Sequence, residues 1–354
     1  MSSSPTSPAD PAQPLFPPLV PTQIVALRRG EAGPAVQTLQ HRLISTGADL
    51  SGETGDYGEA TELAVRNFQR SRGLRIDGIC GPQTWSALVE SGLRLGDRLL
   101  YLHRPVQRGD DVSDLQRRLS ALGFYAGKVD GLFGVDTSDA LAAFQRAAGL
   151  AADGIGGPAT LAALARLGRR DGVEIQPAPV ATIRERERLR RAPRDIAGRQ
   201  VALGQPGGLD ALLGAVSRSL SARGALVVVL PAVDDPEQAA AANTCGADIY
   251  LGLCLEPETT GCEVAYWSSP QGGASEGGRH LAQLLAPAIA SALDDGGAAE
   301  CLPMTLPVLR ETRMAAVVCG FGPMVVPRAA AVADAVADGV EAWFADPCGE
   351  PSTL

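Results

Sequence analysis

The first half of the chain repeats itself at a fixed distance of 76 residues. The repeat runs without a gap from Gly33 to Leu88, and it matches apolar, glycine, proline and glutamine positions alike. The matched pairs include Val36 and Val112, Leu39 and Leu115, Gln40 and Gln116, Phe68 and Phe144, Gln69 and Gln145, and Pro82 and Pro158. A gapless match of this length indicates one small module that has been copied twice.

Each copy predicts three short helices. Apolar residues recur at helical spacing in the first helix, and the second helix carries Phe68 in one copy and Phe144 in the other. The third helix begins with Pro82 or Pro158 directly after a glycine, a position where proline is favoured. One such module buries little apolar surface alone, so we expect the copies to pack on each other or on the rest of the chain.

Both copies contain the pattern Val-x-x-Leu-Gln-x-x-Leu, followed by Phe-Gln-x-x-x-Gly-Leu-x-x-Asp-Gly-Ile-x-Gly-Pro-x-Thr. This pattern resembles the peptidoglycan-binding domain 1 family over residues 24–92 and 103–168. The resemblance implies three-helix modules that bind cell-wall glycan or peptide. The second copy retains the family's loop, so the implied ligand-binding residues are Asp130, Phe133, Gly134 and Gln145. The alternative interpretation is that the glutamines bridge backbone groups and that the loop glycines supply backbone freedom.

The composition excludes some classes of function and indicates the cellular compartment. A net charge of −9 argues against a nucleic-acid-binding protein, which would carry a basic patch. No apolar run reaches the length of a membrane helix. Residues 1–23 are rich in serine and proline and lack a secretory pattern, so we expect a disordered tail there and a short tail at 347–354. The seven cysteines show no framework spacing, which is typical of reduced thiols and predicts a cytoplasmic protein.

A charged linker over residues 169–194 separates the two halves of the chain. Its segment from Ile183 to Arg191 has a helix-forming composition with Glu187 and Arg191 at i,i+4 spacing. The simpler interpretation is a solvated helix that packs Ile183 and Leu189 on a neighbour. The other interpretation is a docking surface for an acidic partner or for membrane headgroups.

The second half, residues 195–346, predicts an α/β domain. Apolar strands alternate with amphipathic helices, which implies a largely parallel sheet covered on both faces. The predicted strands are 200–203, 225–230, 248–255, 262–267 and 315–319, and the predicted helices are 209–222, 236–244, 275–293 and 329–345. The chain is therefore predicted to be multidomain, with two small all-α repeats ahead of an α/β domain.

Three segments of this domain resemble the zinc-dependent N-acetylmuramoyl-L-alanine amidases. The segment Val308-Leu309-Arg310-Glu311-Thr312 and the strand that follows it to Phe321 resemble the strand that carries the family's catalytic glutamate. Ala242-Asn243 with Ala247-Asp248 and the strand Gly261 to Trp267 resemble two further family segments. Two wall-binding modules ahead of such a domain, with an arginine-rich bridge between, resemble the actinobacterial CwlM-type proteins.

Hydrolysis in this family implies a Zn²⁺ ion held by two histidines and a glutamate, with a second glutamate as general base. The residues at the matching positions here are Pro206, Cys254 and Cys319. No glutamate occurs between Glu187 and Glu237, where the third ligand is implied. We therefore expect no catalytic residues and no metal cofactor. The alternative is a zinc site rebuilt from cysteines, which lacks the support of any Cys-x-x-Cys pair.

Three functions remain open from the sequence. The first hypothesis is a cytoplasmic pseudo-amidase that binds peptidoglycan or its precursors and regulates cell-wall precursor synthesis through a cell-wall synthesis protein. The second is an amidase with a non-standard site. The third is a passive cell-wall-binding protein in which only the repeats matter.

Overall fold

The computed structural model describes residues 26–50, 52, 54–125, 127–167, 178–205, 208–231, 233–257, 259–269, 273–293 and 298–349. The predicted tail at 1–23, the linker before Ala178 and the last five residues lie outside these ranges. Among the helices of these ranges, none combines the length and the apolar character needed to cross a bilayer.

Both repeats fold as three helices around separate apolar cores. Repeat 1 comprises α1 (Pro34–Ser45), α2 (Glu59–Arg72) and α3 (Pro82–Ser91), and repeat 2 comprises α4 (Asp110–Ala121), α5 (Val135–Ala147) and α6 (Pro158–Leu167). Helix α2 ends where Gly73 takes the left-handed conformation with a φ of 64°. The predicted three-helix modules are confirmed.

The arginine-rich bridge forms helix α7 (Ala178–Arg190), which packs on the α/β domain. Leu189 is buried there as expected, but the prediction for Ile183 was wrong because its side chain is 60% exposed. Glu185 accepts hydrogen bonds from Ser275 Oγ at 2.8 Å and from the Gly277 N–H at 3.2 Å. The carboxylate therefore lies at the start of the following long helix, where negative charge is favoured.

The second half forms one six-stranded sheet with helices on both faces. The strands are β1 (Gln200–Gly204), β2 (Leu226–Val229), β3 (Ile249–Leu255), β4 (Cys262–Trp267), β5 (Ala299–Met304) and β6 (Ala315–Phe321). The helices are α8 (Asp210–Ala222), α9 (Asp235–Cys245), α10 (Glu276–Leu293), α11 (Pro307–Glu311) and α12 (Ala329–Ala345), with a 3₁₀ turn at Pro323–Arg328. Helices α8, α10 and α12 cover one face. Helices α9 and α11 lie on the other.

The strand order is β2-β1-β3-β6-β4-β5. The pair β6 and β4 is antiparallel, and the other four neighbouring pairs are parallel. The largely parallel sheet predicted from the sequence is confirmed. Two elements were not predicted. Strand β5 is an edge strand that contains Pro303, and α11 has only five residues, so neither leaves a periodic pattern.

The repeats dock on the α9 and α11 side of the sheet rather than standing apart. The polar contacts that join them to the α/β domain include Arg75 with Glu256 and Glu263, Gln83 with Asp235, Glu90 with Arg310, Arg108 with Glu311, Lys128 with the Leu309 and Arg310 carbonyls, and the Thr305 N–H with the Gly73 carbonyl. This outcome agrees with the expectation that the small modules pack on the rest of the chain.

Candidate functional site

A cleft lies between repeat 1 and the ends of the parallel strands β3 and β6. In the strand register, Cys254 pairs with Gly320, and Glu263 of β4 pairs with Gly320 from the other side. Because side chains alternate between faces along a strand, Cys254 and Glu263 point to the face that repeat 1 covers. The cleft has a volume of about 590 Å³.

Arg75 of repeat 1 crosses this cleft and binds two carboxylates. Its Nη1 lies 2.6 Å from Glu256 Oε2, and its Nη2 lies 2.8 Å from Glu263 Oε2. The three side chains are between 23% and 35% exposed, so water screens these charges only in part. In repeat 2 the equivalent position is Ala151, so this contact belongs to repeat 1 alone.

Two groups beside Arg75, the Cys254 thiol and the Glu256 carboxyl, have pKa values shifted towards their neutral forms. Burial raises the pKa of the Cys254 thiol, and the nearby Glu256 carboxylate adds to the rise. Burial also raises the pKa of Glu256, while Arg75 opposes that rise. A thiol that keeps its proton is neither a good nucleophile nor a metal ligand.

Cys319 does not face this cleft. Its side chain is fully buried on the opposite face of the sheet, in the core beneath α10 and α12. A hydrogen bond to Cys319 raises the pKa of the Cys262 thiol, and burial adds to the rise. The residue of β6 that faces the cleft beside Cys254 is Gly320. The prediction that placed Cys319 beside Cys254 at the site was therefore wrong by one residue, because Gly320 occupies that position.

The remaining predicted position, Pro206, lies outside the described residues. Its neighbour Gln205 follows β1 and is nearly buried, and its Nε2 donates to Asp210 Oδ1 at 2.7 Å. His280, the histidine of this domain, lies on α10 with Nε2 2.9 Å from the Asp346 carbonyl oxygen. It is half-buried and is not among the residues that line the cleft.

The donors in the cleft do not fit Zn²⁺. Across the described ranges, no three His, Cys, Asp or Glu side chains are grouped as a metal site. The donors at the strand ends are the protonated Cys254 thiol and the carboxylates of Glu256 and Glu263, both of which bind Arg75. A divalent cation between these carboxylates would meet the guanidinium charge instead of an open coordination position.

The residues predicted to bind ligand in repeat 2 hold the module together. Phe133 is fully buried in the core, and Gly134 immediately precedes α5. Asp130 Oδ1 accepts from Gln116 Nε2 at 2.8 Å and from the Leu132 N–H at 2.9 Å. These contacts hold the Phe133 and Asp130 side chains within the module. Asp130 and Gly134 also border a cavity at the junction with α7.

Gln145 has its hydrogen-bonding capacity filled inside repeat 2. Its Nε2 lies 2.7 Å from Asp153 Oδ1, 3.0 Å from the Ile155 carbonyl and 3.0 Å from Thr160 Oγ1, and its Oε1 accepts from the Gly154 N–H at 2.8 Å. Gln69 repeats the same set of contacts in repeat 1. The structural interpretation of these glutamines therefore fits their contacts better than a ligand-binding one.

Lys128 is a docking residue that the sequence interpretation missed. It is the single lysine of the chain, and its Nζ donates to the carbonyls of Leu309 and Arg310 at 2.9 and 2.8 Å. The same Nζ lies 4.0 Å from the centroid of the Trp267 ring. Burial lowers the pKa of Lys128 to about 8. A single lysine among 31 cationic residues was the signal that could have identified it.

These features define a class of protein in which two copies of a three-helix module dock on an α/β domain with a largely parallel sheet. The family described as "Putative peptidoglycan binding domain" matches residues 32–88 and 108–164. The chain is 33% identical over 365 residues to the N-acetylmuramoyl-L-alanine amidase CwlM of Mycobacterium tuberculosis, covering 89% of this chain and 87% of that protein. The chain therefore belongs to the CwlM family.

Two further similarities are more restricted. A probable N-acetylmuramoyl-L-alanine amidase of Bacillus licheniformis is 35% identical over 160 residues, covering 40% of this chain and 45% of that protein. The crystal structure of the N-acetylmuramoyl-L-alanine amidase from Clostridium difficile 630 matches at 19% identity with a TM-score of 0.34. That match covers 42% of this chain and 98% of the other.

Proposed function

We propose that this chain is a peptidoglycan-binding pseudoenzyme that regulates cell-wall precursor synthesis in the cytoplasm through a cell-wall synthesis protein. The observation that carries the proposal is the arginine clamp in the cleft. Amidase hydrolysis requires a metal with an open position for water. Here Arg75 binds Glu256 and Glu263 at the strand ends, and the position beside Cys254 is a glycine.

The cysteines support the cytoplasmic part of the proposal. All seven are free thiols, and Cys262 and Cys319 hydrogen-bond to one another without forming a disulfide. Free neighbouring thiols are typical of a reducing compartment.

The docked arrangement favours a regulator over a passive wall-binding protein. A passive anchor needs only its binding modules, whereas here ion pairs from both repeats reach the α/β domain. Arg108 of the repeat 2 segment donates from Nε and Nη2 to the two Glu311 carboxylate oxygens at 3.0 and 2.9 Å. Arg310 binds Glu90 of repeat 1 at 2.8 Å. A partner protein would therefore meet a surface composed of all three units.

The hydrolysis assay tests the pseudoenzyme directly. The purified chain is incubated with sacculi, with and without equimolar Zn²⁺, beside an active amidase as the positive control. The expected result is no release of stem peptides in either condition, because Arg75 occupies the site that the metal needs. Release that a chelator abolishes would overturn the proposal in favour of the alternative, an amidase with a non-standard site.

Partner capture tests the regulatory part. The whole chain is crosslinked in a cytosolic extract, and the bound proteins are identified by mass spectrometry. Recovery of a cell-wall synthesis enzyme is the expected result. Recovery of wall fragments without any such enzyme would favour the passive binding protein.

A further inference from the structure

A cavity of about 600 Å³ lies where repeat 2, helix α7 and the α/β domain meet, and we call it the junction cavity. One face of α7 lines it with residues three or four positions apart: Ala181, Arg184, Glu185 and Arg188. The other walls come from the repeat 2 segment around Lys128 and from the α/β domain at Trp267 and Arg313. Its size lies within the range of small-molecule sites, roughly 300–1,000 Å³.

Three arginines at the junction cavity have no partner for their guanidinium groups among the described residues: Arg184, Arg188 and Arg313. In contrast, Arg186 of the same helix lies 3.5 Å from Glu276. Arg184 and Arg188 are four residues apart, and like charges at this spacing destabilise a helix. The chain has a net charge of −9, so three unpaired cations around one cavity are a local excess of positive charge.

The acidic residues of the junction cavity do not neutralise these arginines. The other charged side chains of the lining, except Asp136, have the partners described above: Asp130, Glu185, Glu311, Lys128 and Arg310. Within the described ranges Asp136 has no hydrogen bond or ion pair, and it lies in the first turn of α5, where the helix dipole offsets its charge. The unpaired groups therefore carry three positive charges against one negative charge.

Two N–H donors of the lining are buried without an acceptor in the described part of the chain. They are Trp267 Nε1 and Arg310 Nε. Trp267 is only 4% exposed, so bulk water does not serve its indole N–H. Few buried donors in a native protein stay unpaired, because each one loses the hydrogen bond that it makes with water. The oxygens of an anionic ligand are acceptors of the kind that these donors lack.

We propose that the junction cavity binds the phosphate group of a small organic phosphate. Guanidinium groups match phosphate oxygens in a forked geometry. A phosphate monoester carries a charge of about −1.5 to −2 at neutral pH, which suits the surplus of unpaired arginines better than the single charge of a carboxylate. The arginines surround a concave cavity, which favours a small molecule over a membrane surface. This inference goes beyond the proposed function and does not rest on it.

The test measures binding of glucose 1-phosphate to the whole chain by titration calorimetry at low ionic strength. Glucuronate, which places a carboxylate on the same kind of sugar, is the control ligand and should bind roughly tenfold more weakly. Arg188→Gln and Arg313→Gln change two different walls, and each should weaken phosphate binding roughly tenfold. Arg190→Gln removes the same charge from an exposed position of α7 outside the lining, and it should change the affinity less than about twofold.

Melting temperatures separate lost binding from lost folding. The substituted guanidinium groups have no partner in the described fold, so the three variants should melt within about 2 °C of the unmodified chain. Absence of saturable glucose 1-phosphate binding, equally tight glucuronate binding, or an equal loss in Arg190→Gln would overturn the proposal. Binding to phosphatidylglycerol vesicles without binding of the sugar phosphate would overturn it in favour of a membrane surface. Each of these outcomes leaves the proposed peptidoglycan binding untouched.

Discussion

Replacing Arg75 with alanine should loosen the docking of repeat 1 on the α/β domain. The guanidinium holds Glu256 and Glu263 at 2.6 and 2.8 Å, and its removal leaves two carboxylates facing each other across the cleft. Exposed ion pairs contribute about 0–1 kcal/mol, and breaking a fully buried pair costs roughly 3–5 kcal/mol. Side chains between 23% and 35% exposed lie between these limits, so we expect a loss of about 2 kcal/mol.

The loss should depend on pH in a defined direction. Burial raises the pKa of Glu256, and removal of the opposing Arg75 charge raises it further. An acid whose pKa is raised by folding opposes folding when it is ionised, so stability falls as pH rises through the folded pKa. The loss of stability caused by Arg75→Ala should therefore be largest at neutral pH. It should decrease as the pH falls towards 4.5, the ordinary pKa of glutamate.

Hydrogen exchange at Thr305 measures this docking directly. Its N–H donates to the Gly73 carbonyl at 2.8 Å, a bond that spans repeat 1 and β5. A loss of about 2 kcal/mol predicts roughly thirtyfold less protection at neutral pH. Arg29→Ala is the matched control, since Arg29 is 60% exposed and meets its carboxylates at 3.6 Å, and it should change protection less than twofold. An unchanged Thr305 protection factor in Arg75→Ala would refute the clamp.

Three further outcomes test the remaining site assignments. Cys319→Glu should give no hydrolysis and should lower the free energy of unfolding by roughly 3–5 kcal/mol, because it buries a carboxylate in the core. Cys319→Val is the control, and the melting temperatures of both variants are measured. Gln145→Ala should destabilise repeat 2 by about 2–3 kcal/mol in denaturant unfolding, and Gln69→Ala should do the same in repeat 1. Lost binding at unchanged stability would contradict the structural role of Gln145. The pKa of Lys128 is lowered to about 8 from 10.5, so between these pH values the folded chain binds this proton less tightly than the unfolded chain does. The free energy of unfolding of the unmodified chain, relative to that of Lys128→Met, should therefore rise from pH 8 to pH 10.5. A difference that does not change with pH would contradict the burial of this ammonium group.

The elements that the sequence predicted well are those whose pattern is local. The prolines that open α3 and α6 act within one helical turn, and the apolar period of α12 extends over the whole helix from Ala329 to Ala345. The docking of the repeats could not be predicted in this way. Arg75 is 181 and 188 residues from its two partners, and no periodic pattern links positions so far apart.

The ligand-binding prediction for repeat 2 stays a prediction, and the contacts of its motif residues supply a structural reason for the retained motif. A retained motif in repeat 2 was interpreted as retained binding, but Asp130 and Gln145 are the residues that shape the loops of each module. Motif residues that satisfy buried backbone groups persist whether or not the module binds anything.

The position of Cys319 illustrates how one residue on a strand changes the chemistry of a site. A shift by one residue moves a side chain to the other face of the sheet, so Cys319 enters the core while Gly320 faces the cleft. A β-carbon added at Gly320 would lie 2.9 Å from Glu256 Cγ, and the Arg75 guanidinium is 3.6 Å away. The space for a catalytic glutamate is thus taken by a carboxylate already bound to arginine. The proposed absence of hydrolysis therefore rests on what occupies this cleft, and we expect that no single substitution at β6 gives a metal site.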